Sequence, residues 1–248
     1  MEKKTSGAQT YDALRKLDYT DFLKGLSSET LTRIARETHK VEVLEILVEV
    51  ATVDVRKVIA GRKLILEYSA KKLKEKLLSD PDKCVRKALA NNLFLSKEDL
   101  KRLAYDSNTE VVVEVCKSIL SDDDILSDVL ERSTDIDVFI AIADNPNVST
   151  NTLCSLYKIQ KAMYNQNLNQ VSKFKFDYLK CSIASSKALT DSKTAYSLAA
   201  EKSSDVKFKL LNNPVAKQIQ GLVSFLITDD DDRVSKAALS VFKKMREG

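Results

Sequence analysis

Tryptophan is absent from this chain, histidine occurs once, and 248 residues hold only five glycines and three prolines. So few breakers leave no scope for the many tight turns of a sandwich or barrel, and an all-α fold is expected. The glycines (Gly7, Gly25, Gly61, Gly221 and Gly248) stand alone, so neither a phosphate-cradling P-loop nor a dinucleotide fingerprint can be built from them. Four cysteines, Cys84, Cys116, Cys154 and Cys181, are spread through the chain with no C-x-x-C pair, and His39 is the lone imidazole. Metal and iron–sulfur centres need soft ligands that converge, usually in close pairs, so no metal or other cofactor is expected. The scattered thiols read as reduced, mostly buried residues. A cysteine or serine nucleophile would also lack a base, because His39 sits in the turn "RETHKVEV". No apolar run approaches the roughly 20 residues of a membrane span. The opening MEKKTSGAQT lacks the apolar stretch of an export signal, which makes a cytoplasmic location the expectation.

What the chain does contain is a phrase written several times. "DPDKCVRKALANN" begins at Asp80, and pieces of it return as "VDVRKVIAG" at Val53, "DVFIAIADNP" at Asp137, "DVKFKLLNNP" at Asp205 and "DDRVSKAAL" at Asp231. Aligned on Val55, Val85, Val111, Val138, Val206 and Val234, the phrases are separated by 30, 26, 27, 68 and 28 residues. The long gap holds a degenerate unit whose run is "YLKCSIASS" at Tyr178. A second phrase alternates with the first: "SSETLTRIA" at Ser27, "SKEDLKRLA" at Ser96, "STNTLCSLY" at Ser149 and "SKTAYSLAA" at Ser192. Each reads as a serine-capped helix start with leucines on one face. The short elements Asn91-Asn92, Asn145-Pro146 and Asn213-Pro214 end one helix and turn the chain into the next.

Two short helices in about 24–30 residues cannot bury their own apolar faces, but stacked neighbours can, and a fixed period of this size marks a curved α-solenoid. The expected organisation is a lead-in at 1–20, a stack over 21–157, an insertion or hinge over 158–177 and a second stack over 178–248. Net charge is +4, with basic excesses over residues 1–90 and 161–248 and an acidic excess over 91–160.

The stretch "DPDKCVRKALANNLFLSKEDLKRLAYD" (Asp80–Asp106) resembles the leucine-rich repeat variant family, whose repeat runs Asp-Pro-x-x-x-Val-Arg, then Ala-x-Asn-Pro, then a serine- or threonine-initiated Leu-x-x-Leu-Ala-x-Asp. "TDIDVFIAIADNPNVSTNTLCSLY" (Thr134–Tyr157) is similar with the arginine lost, and the resemblance covers about residues 77–157. It implies alternating helices in a curved solenoid close to HEAT repeats, a scaffold rather than a chemistry. Some members of that family carry an N-terminal cysteine cluster for iron and sulfur; here no cysteine precedes Cys84.

Two groups of residues are candidates for binding. Arg56, Lys57, Arg86, Lys87, Lys207, Lys209 and Lys236 follow equivalent valines, so stacking would align them as a ladder that either tracks phosphates or pairs with the aspartate of a neighbouring turn. The ladder is broken where Val112 and Phe139 take the arginine position. In "SKFKFDYLK", Lys173, Lys175 and Lys180 alternate with Phe174, Phe176 and Tyr178, a pattern that suits base stacking or an ordinary amphipathic helix. "KKLKEKLL" at Lys71 reads as a core helix rather than a membrane-surface one. The acidic runs at Asp122 and Asp229 read as helix-capping turns, since neither supplies the glycine and twelfth-position glutamate of a calcium loop. The function expected is a non-catalytic module that binds another protein through its concave face, with no membrane partner. The alternative is a nucleic-acid-binding HEAT-like solenoid, with an enzyme similar to the alkylpurine DNA glycosylases as its remote extension. Those enzymes use aromatic side chains, notably tryptophan, around an acid in a basic groove, and this chain has neither the tryptophan nor a basic middle.

Overall fold

The computed structural model describes residues 19–164 and 170–247. Helices are the regular structure throughout, with no strand among the described residues. The chain divides into two compact units, one ending at Val111 and one beginning at Val112. In unit 1, helical turns at 19–24 precede α1 (Ser28–Glu37), α2 (Val41–Val50), α3 (Val53–Ala60), α4 (Lys71–Leu78), α5 (Lys83–Ala90) and α6 (Lys97–Ala104). Helix α7 (Thr109–Lys117) carries the boundary. Unit 2 continues with α8 (Asp123–Arg132), α9 (Ile136–Asp144), α10 (Thr150–Tyr164), α11 (Gln170–Ser185), α12 (Ser192–Ala199), α13 (Ser204–Asn212), α14 (Leu222–Ile227) and α15 (Asp232–Glu247).

Alternate helices pack side by side within each unit. In unit 1, α1 lies on α3 and α3 on α5, while α2 lies on α4. In unit 2, α9 packs on α11, α11 on α13 and α13 on α15, with α8 on α10 and α12 on α14 in the other row. The aligned valines hold the first row together. Val55, Val85, Val111, Val206 and Val234 are fully buried, as are Ile59, Leu89, Val115, Ile142 and Ala238 one turn later. Each of the valine, isoleucine and leucine side chains among them contributes about 1.5–3 kcal/mol on burial. In the degenerate unit the buried register residue is Leu179 rather than Tyr178, with Ile183 one turn on.

The second phrase caps its helices as its spacing predicts at Ser27, Ser96 and Ser149, whose hydroxyls accept from Thr30 N, Asp99 N and Thr152 N. At the fourth copy the cap is Asp191 instead, accepting from Thr194 N at 2.7 Å, because Asp191 and not Ser192 stands four and seven residues before the buried Ala195 and Leu198. The copy at Ser27 also differs in place: α1 belongs to the row of valine-phrase helices, packing on α3. A serine cap followed by spaced leucines starts a helix in either row, so the phrase alone does not fix the row. "KKLKEKLL" is α4, with Leu73, Leu77 and Leu78 buried. The acidic runs cap helices: Asp122 accepts from Ile125 N, and Asp229 and Asp231 accept from Asp231 N and Arg233 N. Residues 158–164 complete α10 and 170–177 open α11, and these two helices pack on each other within unit 2.

The recurring asparagine does more than end a helix. Asn92 Nδ2 donates to Ala60 O (2.8 Å) and Arg62 O (3.1 Å). Asn145 Nδ2 donates to Cys116 O (2.6 Å) and Ser118 O (2.9 Å). Asn213 Nδ2 donates to Ala184 O (2.9 Å) and Ser186 O (2.8 Å). Each Oδ1 accepts from the backbone two residues on, at Phe94, Asn147 and Val215. The acceptors are thus the equivalent two carbonyls of the preceding unit in all three cases. Arg62 holds the same position in its own unit, and its guanidinium donates to Ala35 O (2.7 Å) and Thr38 O (2.6 Å). These staples bring side-chain donors to carbonyls at the helix ends, of which Ser118 O and Ser186 O accept from Ser121 N and Leu189 N as well.

Cys116 is buried beneath the Asn145 staple, and burial pushes its thiol up to about 12. At pH 8 it is therefore a thiol and not the nucleophilic thiolate. N-ethylmaleimide applied to the native protein is expected to leave Cys116 unmodified by peptide mass spectrometry, and to label it fully after denaturation in urea.

Candidate partner-binding surface

The arginines of the repeat phrase meet carboxylates. Arg56 forks onto Asp80, Nε to Oδ2 at 2.7 Å and Nη2 to Oδ1 at 3.1 Å, and its Nη1 donates to Ala51 O. Arg86 forks onto Asp106 at 2.6 and 3.0 Å, and its Nη1 donates to Asp80 O, the next rung down. In unit 2, Lys207 meets Asp229 at 2.6 Å and Lys180 meets Glu201 at 2.9 Å. Each acid lies five residues before its own register residue, so every rung ties one unit to the next. The Arg56 and Arg86 side chains are only 15% and 14% exposed. Where the arginine position holds Val112, the matching acid position holds Ser133, so both members of that rung are neutral. The acids also shape their own turns, Asp80 accepting from Asp82 N and Asp106 from Asn108 N. Burial pushes the Asp106 carboxyl up, but the Arg86 guanidinium and the Asn108 amide outweigh it and hold it below the usual carboxylate range.

Three of the other cations of this group also have acidic neighbours. Lys57 reaches Asp54 at 3.1 Å, and Lys87 shares Glu110 with Lys83. Lys236 stands 3.7 Å from Asp232 at the surface, and Lys209 is exposed.

Helix α11 separates the aromatic stretch into two faces. Phe176 is buried and meets Tyr164 edge to face at 5.9 Å, while the Lys180 ammonium lies 4.2 Å from the Tyr164 ring centre. Phe174 and Tyr178 point the other way, 72% and 52% exposed, one turn apart. Lys173 is exposed, and Lys175 donates to Asp137 of α9 at 2.6 Å. Tyr178 precedes the register residue of its helix, as Asp137 and Asp205 do on the neighbouring α9 and α13. One turn on come the part-exposed Ile140, Cys181 and Phe208. The outer face of these three helices is therefore an aromatic and aliphatic strip edged by carboxylates.

A cleft of about 240 Å³ opens on the same side of unit 2, lined by Asp144, Asn145, Pro146, Ser182, Ser185 and Ser186 among others. In unit 1 a broader groove runs past Arg33, Arg36 and Glu37 of α1 to Asp54 of α3. Among the described residues no three histidine, cysteine, aspartate or glutamate side chains converge as metal ligands, and no helix is long and apolar enough to cross a membrane. Comparison with family models, with curated proteins and with solved structures finds no match to this chain.

Sequence reasoning missed Asp137, Asp144, Asp205 and Phe208 as members of one surface. The signal was present in their shared offsets from Val138 and Val206, which becomes informative once Leu179 is taken as the register residue between them.

Proposed function

We propose that the chain is a non-catalytic helical-repeat interaction module, a curved α-solenoid of the leucine-rich-repeat-variant and HEAT-like kind, which binds another protein. The reading of a solenoid rests on alternate helices packing in rows and on staples and rungs that repeat at fixed offsets. Binding is assigned to the outer face of α9, α11 and α13. The observation that carries this is the exposure of Phe174 and Tyr178 there, large apolar side chains left in water beside the part-buried Ile140 and Phe208. Aromatic side chains of this kind are the usual anchors of protein interfaces.

Nucleic-acid binding has less support. It needs the repeat cations at a phosphate surface, and Arg56, Arg86, Lys180 and Lys207 are committed to carboxylates. A glycosylase-like activity would need an aromatic-lined pocket around an acid; the cleft of unit 2 holds Asp144, but its other lining residues are alanine, asparagine, proline, serines and a lysine, with no aromatic.

A photo-crosslinking residue at position 178 tests the proposal against one at the exposed Ser155 of α10, in the other helix row. A protein adduct from cell extract formed at 178 and not at 155 supports it. Adducts at neither position, or equally at both, overturn it.

A further inference from the structure

Asparagine fills the inter-unit position after Val85, Val138 and Val206, but after Leu179 the equivalent residue is Ser186. A serine hydroxyl is too short to reach the previous unit, and Ser186 Oγ accepts only from Ala188 N in its own turn. The carbonyls that an asparagine would take there, by offset from Val138, belong to Ala143 and Asn145. Those two residues and Ser186 all line the cleft of about 240 Å³. The cleft thus opens between α9 and α11, where the staple is missing; the position is also unfilled by asparagine at Ser118 and at Val241.

Three features say what chemistry fits it. The filled positions take a planar group with paired N–H donors, an amide three times and a guanidinium once, at Arg62. The exposed carboxylate of Asp144 lines the cleft and meets no cation among the described residues. Ser182 and Ser185 add hydroxyls on the α11 side, and Lys187 stands exposed at the margin. A planar donor with positive charge satisfies the carbonyls and the carboxylate together, which an amide cannot do. Tyr178 lies two turns from Ser185 on the same face of α11, so the cleft is continuous with the proposed binding face.

We infer that the Ala143–Asp144–Ser186 cleft is a socket for an arginine side chain of the protein partner, which completes from outside the staple that this unit lacks. The inference rests on the proposed protein-binding face and names the residue that the face reads.

Acetyl-arginine amide, titrated into the full chain labelled with nitrogen-15, tests it by amide chemical shifts. Saturable shifts are expected at Ala143, Asn145, Ser185 and Ser186, with a dissociation constant on the order of millimolar for so small a ligand. Acetyl-norleucine amide is expected to produce none. Ser186→Asn supplies the staple internally and is expected to abolish the arginine shifts while raising the thermal midpoint. Asp144→Asn, at an exposed position, is expected to weaken binding about tenfold. Absence of arginine shifts in the wild-type chain, or shifts unaltered by both substitutions, would overturn the socket. A protein adduct at position 178 together with no arginine response would leave the binding face standing and remove only this inference.

Discussion

Asn145→Ala is expected to lower the stability of unit 2 by about 3 kcal/mol, because two buried carbonyls and one part-buried amide lose the side chain's hydrogen bonds at once. The carbonyls of Cys116 and Ser118 lose the two N–H groups of the side chain, and Asn147 N loses its acceptor. Asn145 itself is 3% exposed, so water does not simply take the place of the amide. Asn145→Asp keeps the size and the acceptor but removes both donors and brings a charge against two carbonyls, so it should cost more than alanine. The check is urea unfolding followed by a probe confined to unit 2, with the midpoint falling in the order wild type, alanine, aspartate. An alanine variant within about 0.5 kcal/mol of wild type, the ordinary scatter of surface changes, would show that the staple is incidental.

Arg86→Met is expected to cost unit 1 about 3 kcal/mol, since it strands the buried Asp106 carboxylate and the Asp80 carbonyl. The chain itself suggests the remedy. Val112 and Ser133 occupy the corresponding rung positions without charge. The double variant Arg86→Val with Asp106→Ser is accordingly expected to recover to within about 1 kcal/mol of wild type, because no charge is left unpaired in a dry place. The rung also fixes a pH dependence. The folded Asp106 carboxyl is held below its unfolded value, so its contribution is complete above the unfolded value of about 4 and is lost as pH falls through the folded one. Acidification below about pH 4 should therefore destabilise wild-type unit 1 more steeply than the neutral double variant. Equal slopes would remove the rung from the account of stability.

Much of this could be read from the residues alone, because the repeat phrase records a physical constraint at nearly every position. The valine register and the leucine or isoleucine one turn later are core, and the Asp–Arg alternatives were already visible as phosphate ladder or neighbouring-turn pairs. Offsets decide between them: Arg56 to Asp80 and Arg86 to Asp106 span one unit each. Other features were hidden for identifiable reasons. The asparagine was legible as a helix terminator, but its partners lie 27 to 32 residues away, where local chemistry gives no sign of them. The Lys180–Glu201 rung substitutes different residues in a unit whose register is carried by leucine. The alternation "SKFKFDYLK" looked uniform, yet a helical period separates buried Phe176 from exposed Phe174 and Tyr178. In the stretch assigned as an insertion or hinge, 158–177, helix stands on both sides of 165–169, and those five residues lie outside the described ones.

On the proposed function, the repeat cations hold successive repeats together and the aromatic face is left to a protein. Fluorescence anisotropy of the full chain against labelled single-stranded and duplex oligonucleotides, taken across a salt series, tests that most directly. Because the rung cations are already neutralised by carboxylates, binding should be absent or weaker than millimolar even at low salt, with no steep dependence on salt. Micromolar binding whose logarithm falls steeply with the logarithm of salt concentration would contradict it and return the ladder to phosphate recognition.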